Sequence, residues 1–124
     1  MNNSGECVDQ VMRYYRVERH ELIVVLDDID LPVGRLRVRP SGGAGTHKGL
    51  RSIVDYLGAG SFPRVRVGIG TPPPGMDLAD YVLSRFKEER ETIQQAVLRA
   101  AHAVEVLISE GIQAAQALAN GPME

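Results

Sequence analysis

The sequence has 124 residues, of which 44% are hydrophobic and 24% are charged, and its formal net charge is −2 at pH 7. A chain of this length forms one domain at most, and no apolar run in it is long enough for a transmembrane helix. The start, MNNSGECVDQ, is neither basic nor apolar, so no secretory signal peptide is expected. Cys7 is the single cysteine, which excludes an internal disulfide and favours a reducing cytoplasm.

The first half of the chain predicts a helix, two strands and a second helix. Residues 5–16 place apolar side chains at helical spacing. Residues 22–26, LIVVL, form a short run of branched residues that is typical of a buried strand. Residues 35–39, RLRVR, alternate strictly and predict a half-buried strand with arginines on its polar face. Residues 47–57 show the spacing of an amphipathic helix, and glycines follow it.

The second half of the chain predicts one more strand and then helices. Residues 64–70, RVRVGIG, alternate as the earlier strand does, and residues 77–86 predict a short helix after a stiff TPPPG loop. Residues 87–118 are predicted to be helical, with a break at Gly111. The buried stripe of this segment is predicted to consist of Ile93, Val97, Ala100, Val104, Leu107 and Ile108.

Strands separated by helices predict an α/β fold with three layers, in which helices flank a mixed sheet and a long helix lies at the C-terminal end. Three strands are few for this class. Either the sheet is truncated, or another chain completes it. No repeat, low-complexity segment or linker divides the sequence, so residues 1–124 are expected to form a single domain.

Positive charge is concentrated in the window from Leu31 to Arg66, although the whole chain is acidic. The basic residues of the window are Arg35, Arg37, Arg39, Lys48, Arg51, Arg64 and Arg66. Asp55 is the one acid there. Arginine grips phosphate with a planar fork, so the two alternating strands predict a phosphate-binding face. The alternative is that these charges only protect the edges of the sheet. No aromatic residues interleave with them, so sequence-specific reading of a single strand is not expected.

Two further groups lie next to this basic window in the sequence. The loop SGGAGTHKG, residues 41–49, is typical of a phosphate cradle at a helix N-terminus, or of a plain glycine-rich connection, and it matches no nucleotide-binding motif. Asp28 and Asp30, after the first strand, favour a turn in which carboxylates accept backbone amides. Asp27 fits such a turn and the orientation of a catalytic histidine equally well. His47 is the histidine placed near these groups in the sequence.

Four ordered blocks of sequence resemble the bacterial-type peptidyl-tRNA hydrolases. The blocks are MNNSG, VVLDDIDLPVGRLRVRPSGGAGTHKGLRSI, FPRVRVGIGTPP and YVLSRF, and the resemblance runs through nearly the whole chain. It implies an α/β hydrolase that cleaves the ester between a peptide and the terminal ribose of tRNA. It also implies a cytoplasmic protein that recycles tRNA for translation, with tRNA as its partner, no membrane association, and no cofactor or metal.

The resemblance implies roles for residues of the substrate cleft. Asn2, in the MNxSG block, matches an asparagine that contacts the substrate. Asp27 matches the aspartate that holds the catalytic histidine in its basic form. His47 matches a histidine beside the cleft.

The resemblance also implies contacts to tRNA. Lys48 stands where many members have an asparagine that contacts the end of the tRNA. Lysine accepts no hydrogen bond, so its contact must differ, although a cation suits a phosphate. Arg39 and Arg66 stand where relatives have basic residues that clamp the 5′ phosphate.

One motif of the family is not found in this sequence. Members begin with a strand and a GLGNPGxxYxxTRHN motif that carries the catalytic histidine. Residues 1–124 therefore resemble the C-terminal two-thirds of the enzyme, a partial domain that is expected to be inactive alone. The alternative is a non-catalytic tRNA- or RNA-binding module of the same fold. Intact members are usually monomeric, whereas uncovered sheet edges and apolar faces favour self-association of a partial domain.

Overall fold

The structure, a computed structural model, describes residues 3–45 and 47–120, except for the side chains of Phe86 and Glu88. A single 3-10 turn lies at Arg19–Glu21. The helices and strands are α1 (Ser4–Tyr15), β1 (Val24–Asp28), β2 (Leu36–Arg39), α2 (Lys48–Leu57), β3 (Arg64–Gly68), α3 (Leu78–Glu88), α4 (Arg90–Glu110) and α5 (Ile112–Ala119). The predicted α/β class, the predicted break at Gly111 and the long helix near the end are confirmed.

The three strands form one sheet in the order β1-β3-β2. At the start of β1, Val24 N donates to Pro63 O at 3.1 Å, and at its end Ile69 N donates to Asp28 O at 3.0 Å. Both strands therefore advance together, and β1 is parallel to β3. The strand predicted at residues 22–26 lies two residues later because these bonds continue the pairing to Asp28.

The β2–β3 pair is antiparallel, which makes the sheet mixed, as predicted. Gly68 N, at the end of β3, donates to Arg35 O, before the start of β2, at 2.7 Å. Along β2 the predicted alternation is confirmed, because Leu36 and Val38 are buried whereas Arg39 is exposed. Because Gly68 pairs with Arg35 and the strands run in opposite directions, Arg37 lies across from Arg66 on the same face of the sheet.

The chain forms two compact units. The first consists of the described residues of Met1–Val24 and Arg39–Arg64, and the second of those of Val25–Val38 and Val65–Glu124. The expectation of a single domain stays a prediction.

In the first unit, α1 packs against α2. Gly5 N donates to Ser52 Oγ at 2.9 Å, and a Cβ at Gly5 would collide with the Ser52 carbonyl. The glycine of the MNNSG block therefore sets the close approach of the two helices.

Helix α1 ends in a strained conformation at Arg16. This residue has φ 56° and ψ 45°, the left-handed region that helix ends normally reserve for glycine. Val17 N donates to Met12 O at 2.8 Å and Arg16 N donates to Arg13 O at 3.3 Å, the two bonds of a Schellman cap. Among the described residues Arg16 is the one non-glycine with positive φ, at a cost of about 1 kcal/mol relative to glycine.

In the second unit, α4 packs against α3 and α5, and none of the described helices is both long and apolar enough to cross a membrane. The predicted stripe on α4 is partly wrong. Val97 is 53% exposed and Ile108 is 73% exposed, although both were predicted to be buried. The buried residues of this helix include Ala96 and Ala103 instead. Small side chains lie inward because the helices pack closely, with alanines of α5 buried as well.

Candidate functional site

The acidic residues at the end of β1 divide between two faces of the sheet. Asp28 Oδ1 accepts a hydrogen bond from Asp30 N at 2.8 Å, which confirms the turn predicted for Asp28. Its other oxygen, Oδ2, lies 3.4 Å from Arg66 Nη1 on β3. Alternation along a strand directs neighbouring side chains to opposite faces, so Asp27, which is partly buried, points away from the face of Asp28.

The ion pair between Arg66 and Asp28 is loose but sheltered. The two side chains are only 19% and 11% exposed, while the 3.4 Å separation exceeds the roughly 2.7–2.9 Å of a tight charged hydrogen bond. A guanidinium has five N–H donors, and this contact uses one of them. Arg66 is therefore held in place with donors remaining for an anionic ligand.

Arg37 is the second cation on this face. The strand register places it across from Arg66, so two guanidinium groups lie on one face, and Asp28 is ion-paired with Arg66. Arg37 Nε is buried, and no described residue accepts a hydrogen bond from it. A buried polar atom without a partner destabilises the protein unless a ligand or water completes it. An anion between these arginines would neutralise the excess charge and complete the hydrogen bonding.

The first unit carries three of the other predicted site residues. Arg39 ends β2 and is exposed, and no ion pair within the described part of the chain involves it. Lys48 is the first residue of α2 and is exposed as well. Both cations are available to an anionic ligand. Asn2 lies outside the described residues.

His47 is the N-cap of α2. Its Nδ1 accepts a hydrogen bond from Leu50 N at 3.0 Å, which satisfies one of the unpaired amides of the first turn. A Cβ at Gly49 would lie 3.0 Å from His47 Cε1, so glycine is needed for the ring to lie against the helix. This bond assigns the proton of the neutral ring to Nε2, and Nδ1 is the acceptor of the helix cap.

Arg64 is not part of an exposed basic surface, so the prediction that its charge is exposed on the polar face is wrong. It is 0% exposed. Its guanidinium donates to three carbonyls, Gly43 O at 3.1 Å, Gly60 O at 2.6 Å and Phe62 O at 3.2 Å, and stacks 4.5 Å from the Phe62 ring. The loops before α2 and before β3 enclose it, so its charge holds the glycine-rich loop in place.

The predicted site residues are divided between the two units. The predicted residues Asp27 and Arg66 lie in the second unit, and Arg39, His47 and Lys48 lie in the first. In the second unit Arg66 contacts Asp28 and lies opposite Arg37 in the sheet, and the family resemblance singled out neither of these two residues. The alternation of RLRVR had already placed Arg37 on the predicted phosphate-binding face. Within the described ranges no group of three or more histidine, cysteine, aspartate or glutamate side chains could hold a metal ion.

Comparison with known proteins gives one consistent match. The family model for peptidyl-tRNA hydrolase matches residues 1–124. The chain is 54% identical over 117 residues to the peptidyl-tRNA hydrolase of Chloroflexus aggregans, covering 93% of this chain and 62% of the relative. It is 44% identical over 122 residues to that of Lachnospira eligens, covering 98% of this chain and 66% of the relative.

The backbone of this chain also matches that of a solved structure. The crystal structure of peptidyl-tRNA hydrolase from Acinetobacter baumannii superposes with a TM-score of 0.84 at 29% identity, covering 98% of this chain and 62% of that one. The chain thus spans somewhat less than two thirds of the length of these matched proteins.

Proposed function

Because the chain belongs to the peptidyl-tRNA hydrolase family, we propose that it serves in the hydrolysis of the ester between a peptide and tRNA, which recycles tRNA for translation in the cytoplasm. The match over residues 1–124 supports this. In this proposal residues 1–124 form a single, partial domain of the family that contributes most of the tRNA contacts. No cofactor or metal takes part.

The observation that carries the tRNA contact is the incompletely neutralised pair of arginines on β2 and β3. Arg37 Nε is buried without a partner, and Arg66 is held at 3.4 Å from Asp28. A phosphate accepts several N–H donors at once, so it suits two adjacent guanidinium groups. As the family resemblance implies, we assign Arg39 and Arg66 each to phosphates of tRNA, and we add Arg37 to the contact of Arg66.

The remaining residues have roles at the acceptor end of tRNA in this proposal. His47 donates from Nε2, since its Nδ1 caps α2. Lys48 contributes a cation to the same end, and Asn2 contacts the substrate. Asp27 orients a histidine that acts as the base.

We further propose that the 124-residue polypeptide binds peptidyl-tRNA without cleaving it. Its histidines are His20, His47 and His102, and none lies in a TRHN motif. His47 is committed to the helix cap through Nδ1. A polypeptide that keeps the phosphate contacts but has no base binds the substrate and leaves the ester intact.

A single-turnover assay with labelled peptidyl-tRNA tests both parts of the proposal. We expect the tRNA to bind in a salt-dependent manner, with peptide release no faster than in buffer. Peptide release that is fast in the 124-residue polypeptide and abolished by His47→Ala would contradict the second part. The alternative, an RNA-binding module without catalysis, predicts equal affinity for peptidyl-tRNA and uncharged tRNA.

A further inference from the structure

An open groove in the first unit has none of the proposed site residues in its wall. It lies where the end of α1, the 3-10 turn and the end of α2 meet, and its volume is about 410 Å³. This volume lies within the range of roughly 300–1,000 Å³ that is usual for small-molecule sites. Arg13, Arg16 and Arg19 contribute three guanidinium groups to it. The hydrolysis proposed above does not account for the groove.

The charges in the groove do not cancel pair by pair. Arg13 is bound to Asp9 at 3.0 Å. Glu18, the other acid in the wall, forms no ion pair with the described residues, and its backbone N donates to Glu21 Oε1 at 2.8 Å. Within residues 3–45 and 47–120 no ion pair involves Arg16 or Arg19. Two exposed cations therefore face the groove without an acidic partner.

The backbone at Arg16 is unfavourable for arginine. A helix that ends in the left-handed conformation is most stable with glycine there, because a Cβ destabilises that conformation. Strain of this kind at a non-glycine residue points to a function for its side chain. The side chain of Arg16 lines the groove, so the strained backbone conformation places a positive charge at the groove.

The rest of the wall is suited to a flat ring. Tyr56 is 51% exposed although it is an aromatic residue, and it lines the groove beside Met12 and Leu57. Tyrosine stacks on nucleobases, and arginine binds phosphate and stacks as well. We propose that this groove binds one nucleoside phosphate, with its base against Tyr56 and its phosphate between Arg16 and Arg19. The nucleotide belongs either to an RNA chain or to a free mononucleotide.

Titration of the isotope-labelled 124-residue chain with AMP, and separately with an acceptor-stem RNA hairpin, tests this site by NMR. We expect saturable shifts of the backbone amides of Arg16, Arg19 and Tyr56. Shifts with both probes identify RNA as the source of the nucleotide, and shifts with AMP alone identify a free nucleotide. Absence of shifts at these amides with both probes would overturn the proposal.

The variant Arg16→Gly gives two opposite expectations in one protein. Its unfolding midpoint should rise by about 4 °C, because strain is removed, while its affinity for AMP falls about tenfold. Tyr56→Leu should weaken AMP binding as well. Lys87→Gln, which removes one exposed charge on α3, is the control and should leave AMP affinity unchanged. A more stable Arg16→Gly protein with unchanged AMP affinity would refute the site, whatever the outcome of the hydrolysis assay.

Discussion

Replacement of Arg64 by methionine removes a buried guanidinium that binds three carbonyls. The carbonyls of Gly43 and Phe62 lose this donor, whereas Gly60 O keeps its bond from Gly42 N at 3.1 Å. Methionine fills much of the volume without replacing a hydrogen bond. Two carbonyls are thus left without a donor, one partly and one fully buried, and each costs about 1–3 kcal/mol. Relief of the buried charge offsets part of that sum, so we expect the free energy of unfolding to fall by about 2–3 kcal/mol.

Urea unfolding followed by circular dichroism measures this loss. Arg39→Met is the matched control, because Arg39 is exposed, and it should change the free energy of unfolding by about 0.5 kcal/mol or less. Arg64→Lys keeps the charge but not the planar fork, so an intermediate loss is expected. A loss below about 1 kcal/mol in Arg64→Met would show that the carbonyls find other donors, and would refute the assignment of Arg64 to loop anchoring.

Three further substitutions test packing and capping by the same unfolding measurement. Gly5→Ala should destabilise by about 2 kcal/mol, because its Cβ meets the Ser52 carbonyl; a neutral result would mean that α1 shifts freely. His47→Ala removes the cap of α2 and should cost about 1 kcal/mol, and an unchanged midpoint would place the cap elsewhere. Asn120→Ala should cost about 2 kcal/mol, since its amide both accepts from Val38 N at 2.7 Å and donates to Val38 O at 3.0 Å; a loss near zero would show that water replaces both bonds.

Local periodicity was sufficient to predict most of the secondary structure. The alternation of RLRVR correctly predicts the burial of Leu36 and Val38, and helical spacing correctly predicts α2 up to its glycine stop at Gly58. These features depend on residues close in sequence. The break between α4 and α5 is also a local feature, because it depends on Gly111, which adopts a positive φ of 96°.

Features that depend on distant segments were not predictable from periodicity. Alternation shows that Arg64 and Val65 lie on different faces, but not that the loops at Gly43 and Gly60 cover the polar one. Hydrophobicity favoured Val97 over Ala96 on α4, yet close packing of helices selects the smaller residue. The pairing of Asp28 with Arg66 follows from the strand order β1-β3-β2, which no local pattern specifies.

The salt dependence of RNA binding tests most directly whether the face of β2 and β3 binds tRNA phosphates. An acceptor-stem RNA hairpin is titrated at several salt concentrations into the wild type, Arg37→Ala, Arg66→Ala and the control Arg90→Ala, whose arginine is exposed at the start of α4. We expect each strand variant to weaken binding and to reduce the slope of log K against log salt by about 1, while the control leaves it unchanged. Slopes that are equal in all four proteins would contradict the proposed phosphate contact.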